Sequence, residues 1–254
     1  MLSVRTAIKN KFLRKEIMKV LVACEESQRV CIAFREKGHE AYSCDIQECS
    51  GGHPEWHIKD NVLKILNPEW TKDEDFKIPF YGIWFLTADG VLHRIDKWDL
   101  IIAHPPCTYL TNAGMCNFTR KNSDNLYRLR RLRNLLESVE FVNLIWESDC
   151  DKVAIENPVG VLSTYFCKPT QIIHPWEYGH HVNKSTCLWL KGLPTLNPTQ
   201  IVSRGEIVSW GNGKKISRWY RQTLIDCSGD LKELSRVRSQ TFRGIARAMA
   251  QQWG

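Results

Sequence analysis

The chain has 254 residues, 43% of them hydrophobic and 25% charged, which is the make-up of an ordinary globular protein with room for one large α/β domain. No apolar run approaches the ~20 residues that a membrane-spanning helix needs, which excludes such a helix and predicts no membrane partner. A formal net charge of +7 favours an anionic partner, nucleic acid first, and ten cysteines behind a basic leader without a cleavable apolar stretch point to free thiols in the cytoplasm. In chain order, residues 1–17 read as an extension outside the fold. Val20-Leu21-Val22-Ala23 is short and wholly apolar, as a buried parallel strand is. Ser27 to Lys37 has helical spacing at Val30, Ile32, Ala33 and Phe34, and Gly38 is placed to cap it. Ala41 to Asp45 reads as the next strand, which makes a strand–helix–strand unit. Trp56 to Asp60 predicts a short third strand, and Asn61 to Leu66 a helical turn. Pro68 to Pro79 reads as a loop and Tyr81 to His93 as a hairpin insert. Trp98 to Ala103 is the next core strand. Asp124 to Glu147 predicts a long amphipathic helix burying Leu126, Leu129, Leu132, Leu136, Val139, Val142 and Ile145. Val153 to Ile155 is a further core strand. Prolines and aromatics then punctuate 168–240, predicting a small irregular recognition region beside a catalytic domain over 18–167. Residues 241–254 read as a terminal helix packing on that domain.

Two strands end abruptly in reactive residues. Ile101-Ile102-Ala103 runs into His104-Pro105-Pro106-Cys107, and Val153-Ala154-Ile155 runs into Glu156-Asn157-Pro158. Ligands of open α/β sheets collect beyond the carboxyl ends of the strands, so Cys107 and Glu156 are candidates for a nucleophile and an acid in one cleft. Cysteine attacks as the thiolate, so Cys107 needs a lowered pKa and access to substrate. The two prolines stiffen its turn. A carboxyl group beside an apolar strand end can have a raised pKa, stay protonated and donate to a ring nitrogen. The plain alternatives are a buried structural thiol and a surface carboxylate.

Pro105-Pro106-Cys107 with Thr111-Asn112-Ala113-Gly114, followed by Glu156-Asn157-Pro158-Val159, resembles the paired core motifs of the cytosine C5 DNA methyltransferases, over about residues 18–190. The short chain and irregular first motif resemble the bacteriophage variants, for which the compartment is the host cytoplasm. The resemblance implies a Rossmann-like fold that uses S-adenosylmethionine to methylate carbon 5 of a cytosine flipped out of DNA. It implies Cys107 as the thiolate that adds to carbon 6, Glu156 at ring N3 and the exocyclic amine, and Asn157 as a brace for the loop. Lys184 stands in for an Arg-rich motif of the family. Asp45, with Ile46 beside it, is expected on the cofactor's ribose. Asp60, with Asn61 beside it, is expected on the adenine amine, and Pro105 near the methionine portion. The first turn, Cys24-Glu25-Glu26-Ser27-Gln28, departs from the family because it has no glycine and so approaches a ligand less closely. Cys24 and Glu25 are still expected at the cofactor, Glu25 on its amino group. Arg128 and Arg131 in the long helix are candidate phosphate contacts. Lys214, Lys215 and Arg218, interleaved with Trp210, Trp219 and Tyr220 and following Trp189, suit a nucleic-acid surface.

Two other readings remain open. Amino-methyltransferases carry an aromatic residue after Pro-Pro where this chain has Cys107, and they leave Glu156 without a task. A nucleic-acid-binding protein on a decayed scaffold has no need of Cys107 or Glu156. Cys44, Cys49, His53 and His57 lie close in sequence without standard zinc spacing, and no metal is expected.

Overall fold

Val20 to Ala23 are completely buried, so this strand has no solvent face and requires a sheet covered on both sides. The computed structural model describes residues 16–70, 81–115 and 124–254. It is an α/β protein with a mostly parallel central sheet. β1 (Lys19–Ala23), α1 (Arg29–Glu36) and β2 (Glu40–Asp45) form the expected strand–helix–strand unit, and β3 (His57–Lys59) follows. Helix α1 ends with Lys37 as its cap, and Gly38 at φ 86° then supplies the left-handed turn into β2. β4 (Glu69–Trp70), β5 (Tyr81–Leu86) and β6 (Leu92–Ile95) make a separate antiparallel sheet that contains the expected hairpin.

The chain then returns to the centre through β7 (Leu100–Ala103), α2 (Asn112–Met115), α3 (Asn125–Trp146) and β8 (Val153–Pro158). After α4 (Leu162–Tyr165), β9 (Gln171–Ile173) and β10 (Thr186–Lys191) complete a seven-stranded sheet of order β3-β2-β1-β7-β8-β10-β9. The five strands from β3 to β8 are parallel, and β10 runs antiparallel to both its neighbours. Alternate residues feed two cores. Leu21, Ile101, Val153 and Trp189 pack with α3 and the hairpin on one face, while Val20, Ile102, Ala154 and Leu188 pack with α1 and α7 (Arg243–Gln252) on the other. Each fully buried aliphatic side chain contributes about 1.5–3 kcal/mol relative to exposure. Among the described residues no helix is long and apolar enough to cross a membrane.

Two expectations are corrected. The boundary at 167/168 does not separate a recognition region from the sheet, because β9 and β10 lie beyond it and belong to the sheet. What forms a separate two-stranded sheet is the later hairpin of β11 (Ile207–Ser209) and β12 (Lys215–Ser217), which α5 (Arg218–Asp226) and α6 (Leu231–Ser239) follow. The expected apolar face of α3 is also only half right. Leu135, Val139, Val142 and Ile145 are buried, whereas Leu126, Leu129, Leu132 and Leu136 are exposed. A helix of 22 residues is about 33 Å long, but strands of four and six residues span only about 13–20 Å, so its amino-terminal half overhangs the sheet. Residues 1–15, the greater part of the expected extension, and 71–79 of the expected loop fall outside the described residues.

Candidate active site

β1 and β7 are neighbours in the sheet, yet β1 leads through α1 on one face to β2 and β7 leads through α3 on the other face to β8. Such a reversal opens a crevice at the carboxyl ends of the two strands. The His104 backbone N–H donates to the Ala23 carbonyl (2.9 Å), which holds the two strand ends together. Beyond them the His104 ring, 8% exposed, meets the Glu156 carboxylate, 16% exposed, at 3.2 Å between Nδ1 and Oε2. Burial opposes charge on both groups, but each stabilises the other's charged form more strongly. The pKa of His104 is therefore raised, and that of Glu156 is lowered, with Lys184 and the Thr186 hydroxyl adding to the lowering. The expectation of a raised Glu156 pKa is thus corrected: the carboxyl is held below its ordinary value and the imidazole above its own, because each favours the other's charged form. His104 Nε2 is buried and unpartnered among the described residues.

Cys107 is half-buried on the loop that leaves β7. Its carbonyl accepts from the backbone N–H groups of Leu110 (3.0 Å) and Thr111 (3.1 Å), so the chain folds back directly after the thiol. Burial and the Glu156 charge push the thiol pKa up, against Lys184 and Arg238, which favour the thiolate. The expected lowered pKa is not what the surroundings of Cys107 produce. Asn157, buried at the end of β8, donates from Nδ2 to the Pro105 carbonyl (2.8 Å) and ties the two loops together.

A second tie makes Gly160 indispensable. Thr111 bridges to Gly160, the Val161 N–H donates to the Leu110 carbonyl (2.8 Å), and a Cβ on Gly160 falls 1.9 Å from the Leu110 oxygen. Gly160→Ala is expected to force the Cys107 loop away from the Glu156 loop. The expected cost is about 1–3 kcal/mol, read as a lower melting temperature together with lost activity, and a variant with wild-type melting contradicts this packing.

Lys184 reaches the site because β10 runs backwards. Thr186 pairs with Pro158 and Leu188 with Glu156, so the residues before β10 arrive at the edge where the parallel strands end. Lys184 Nζ donates to the Arg238 carbonyl at the end of α6 (2.9 Å).

The first turn is glycine-free but takes conformations that glycine adopts most cheaply. Cys24 (φ 60°) and Gln28 (φ 56°) are left-handed, a strain of order 1–3 kcal/mol each of the kind that gathers at functional sites. Gln28 is fully buried; its amide donates to the His53 carbonyl (2.8 Å) and accepts from the His53 N–H (3.0 Å). The Cys24 thiol is pushed up by burial and by Asp45 nearby. Glu25 departs from its expected role at a cofactor. It is buried, and its two oxygens accept from the N–H groups of Val30 (2.7 Å) and Cys31 (3.2 Å), which caps α1. Burial raises its pKa to about 7, against the pull of His104 and those N–H groups.

A carboxyl raised in the folded state binds more protons there than when unfolded, so Glu25 lowers stability as pH rises from about 4.5 through about 7, by about 3 kcal/mol in all. Glu25→Gln loses one accepted hydrogen bond, about 1 kcal/mol, at every pH. The variant is expected to be about as stable as wild type at pH 5 and more stable, by about 2 kcal/mol, at pH 8.5. Urea unfolding at the two pH values checks this, and equal offsets at both contradict it.

Asp45 stands at the end of β2, accepts from the Gln47 N–H (2.9 Å), and is followed by Ile46, 75% exposed. Asp60 follows β3 but is held by Lys64 (2.6 Å) and the Asn61 N–H (2.6 Å), while Asn61 caps a helical turn through the Leu63 N–H (3.1 Å). Pro105 is buried between Asn157 and the end of β7. Arg131 lies over the Tyr109 ring (5.0 Å), beside the Cys107 loop, and Arg128 is exposed on the preceding turn of α3. Lys214 and Lys215 are exposed on the later hairpin, and Arg218, exposed at the start of α5, pairs with Glu206 (2.9 Å). Trp189 is core rather than surface. The His57 ring is spent on Ser43 (2.9 Å) and the Gln47 carbonyl (2.9 Å), and among the described residues no cluster is placed to hold a metal.

His104, Thr186 and Arg238 had no role in the sequence reading. Only His104 left a local signal, a polar ring directly at a strand end. No protein-family model and no curated protein matches this chain, so what the site does follows from its own chemistry.

Proposed function

We propose that this protein transfers a methyl group from S-adenosylmethionine to carbon 5 of a cytosine in DNA, through a covalent adduct of Cys107. The observation that carries the reading is the convergence of a thiol, an imidazole–carboxylate pair and a lysine, from three chain segments, on the crevice between β1 and β7. Carbon 5 of cytosine is a poor nucleophile until a sulfur adds at carbon 6. Cys107 Sγ forms that bond, and its proton passes to the Glu156 carboxylate. The Glu156–His104 pair then donates a proton to ring N3 as electron density moves onto the ring; once carbon 5 carries the methyl group, water takes the carbon 5 proton, the carbon 6–Sγ bond breaks, the sulfur leaves as the thiolate and the pair takes back the N3 proton. Lys184 and Arg238 favour the thiolate, and Asn157 and Gly160 keep the two loops in register. The target base enters only after leaving the duplex stack.

Residues at the rim fit the nucleoside part of the cofactor. The Asp45 carboxylate would take the ribose hydroxyls, and exposed Ile46 would cover a flat face of the adenine. Pro105 would lie near the methionine portion. Glu25 does not fit its expected place, because its carboxylate is spent on α1. When bound, S-adenosylmethionine supplies the electrophilic methyl. The activity belongs in the cytoplasm, the host's if the chain is a bacteriophage's. The test is DNA containing 5-fluorocytosine, in which carbon 5 cannot release its substituent and the adduct persists. A protein–DNA adduct mapped to Cys107 supports the reading. Methylation at the exocyclic amine, or cofactor and DNA bound without any adduct, overturns it.

A further inference from the structure

Outside the crevice, α1 and α7 pack side by side and both begin with arginine, Arg29 and Arg243. The amino end of α1 is met by the Glu25 carboxylate, whereas α7 has no acid in its first turn, although helix amino ends favour negative charge. Arg247 lies one turn further along α7, about 6 Å along the axis, and both Arg243 and Arg247 are exposed. With Arg236 of α6 they line a groove of about 610 Å³, whose lining includes one carboxylate, Glu36. Arg236 is already paired, with Glu233 (2.6 Å) and Glu26 (3.5 Å). Arg29 donates to neutral acceptors, the Thr241 carbonyl (2.9 Å) and the Gln240 amide oxygen (2.6 Å). Burial and Arg243 pull its guanidinium below the ordinary value, with Arg236 adding to this and Glu25 and Glu26 opposing it. Ser27, in the turn that follows β1, also lines the groove, which therefore opens at the carboxyl edge of the sheet.

We propose that this groove is a phosphate track, in which Arg243, Arg247 and Arg29 hold successive phosphodiesters of a DNA strand beside the crevice. The choice of DNA rests on the function proposed above. A row of cations one helical turn apart suits a repeating polyanion better than a single ion. Such contacts position a duplex without reading its sequence.

The experiment is fluorescence anisotropy of a labelled duplex with the full chain, without cofactor, across a salt series. Arg243→Ala with Arg247→Ala is expected to weaken binding about tenfold on any sequence and to reduce the salt slope by about two. Arg243→Lys with Arg247→Lys is expected to keep the slope. Both arginines are exposed, so the melting temperature should not move and a folding defect is separable. Wild-type affinity and slope in the alanine variant, or no duplex binding by the wild type, overturns the track. Labelled cytidine monophosphate is the second probe: loss of its binding in the alanine variant with duplex binding unchanged marks a nucleotide site and overturns the proposal equally. The assay reads no chemistry. A protein that binds DNA through the groove but forms no 5-fluorocytosine adduct loses the methyl-transfer reading alone, and a failed groove leaves the crevice untouched.

Discussion

Cys107→Ala is expected to abolish both methyl transfer and the 5-fluorocytosine adduct, with a rate loss of about 10⁴-fold or more, as removal of a covalent nucleophile gives. The fold should survive. The side chain is small and half-buried on a loop, the loop is held by backbone bonds to the Cys107 carbonyl and by Asn157, and alanine keeps all of these. The expected change in stability is within about 1 kcal/mol. The variant should also still bind DNA and S-adenosylmethionine, the latter read as a rise in melting temperature on adding cofactor. Loss of turnover with binding intact separates a nucleophile from a structural thiol. Full activity in Cys107→Ala would end the proposed mechanism whatever else holds.

The second large effect is expected at the His104–Glu156 pair. Glu156→Gln keeps the shape but cannot accept and return a proton, so kcat should fall about 10²–10⁴-fold. His104→Asn is the more diagnostic change. In the wild type His104 is raised above its ordinary value near 6.5 and Glu156 lies below its ordinary value near 4.5, so one proton sits on the imidazole across the interval between. Activity that needs this proton falls as pH rises through the raised value of His104. Without the imidazole, burial of Glu156 loses its chief opponent, its pKa rises, and the carboxyl itself becomes the proton donor. The alkaline limb of kcat against pH should therefore move in His104→Asn to the position set by the Glu156 carboxyl alone, and a purely structural histidine would leave the limb in place.

The same pair gives stability a pH window. The His104 contribution is fully present below about 6.5 and is lost as pH rises through its folded value. The Glu156 contribution is present above about 4.5 and is lost as pH falls through its folded value. The two overlap between those ordinary values, and there His104→Asn should cost most, about 3 kcal/mol, because Glu156 is left buried without the imidazolium and must either stay charged unpaired or take up a proton. A uniform cost from pH 4 to pH 9 contradicts the pair.

The reactive ends of β7 and β8 were legible because each is an apolar run too short and too continuous to be anything but a buried strand, and each stops at a polar residue. The unit β1–α1–β2 was legible for the same reason, with Gly38 marking the turn. Less could be read of protonation. Glu156 beside an apolar strand suggests a neutral acid, and only the His104 ring, 3.2 Å away and 52 positions earlier, reverses that. The place of Glu25 was hidden too, since a carboxylate that follows a strand looks the same in sequence whether it faces a ligand or caps the next helix. The exposed leucines of α3 misled because periodicity reports one apolar stripe but not how far the sheet beneath it extends.

By itself the sequence determined the local elements, the two strand ends that carry Cys107 and Glu156, and an excess of positive charge. Those properties depend on a few neighbouring residues and on composition. Only the tertiary structure decided that β10 runs backwards and so brings Lys184 to the edge where the parallel strands end, that β9 and β10 belong to the sheet rather than to a separate region, and that arginines from three helices share one groove. Strand direction and helix juxtaposition come from the packing of residues far apart in the chain, and short-range patterns carry no record of it.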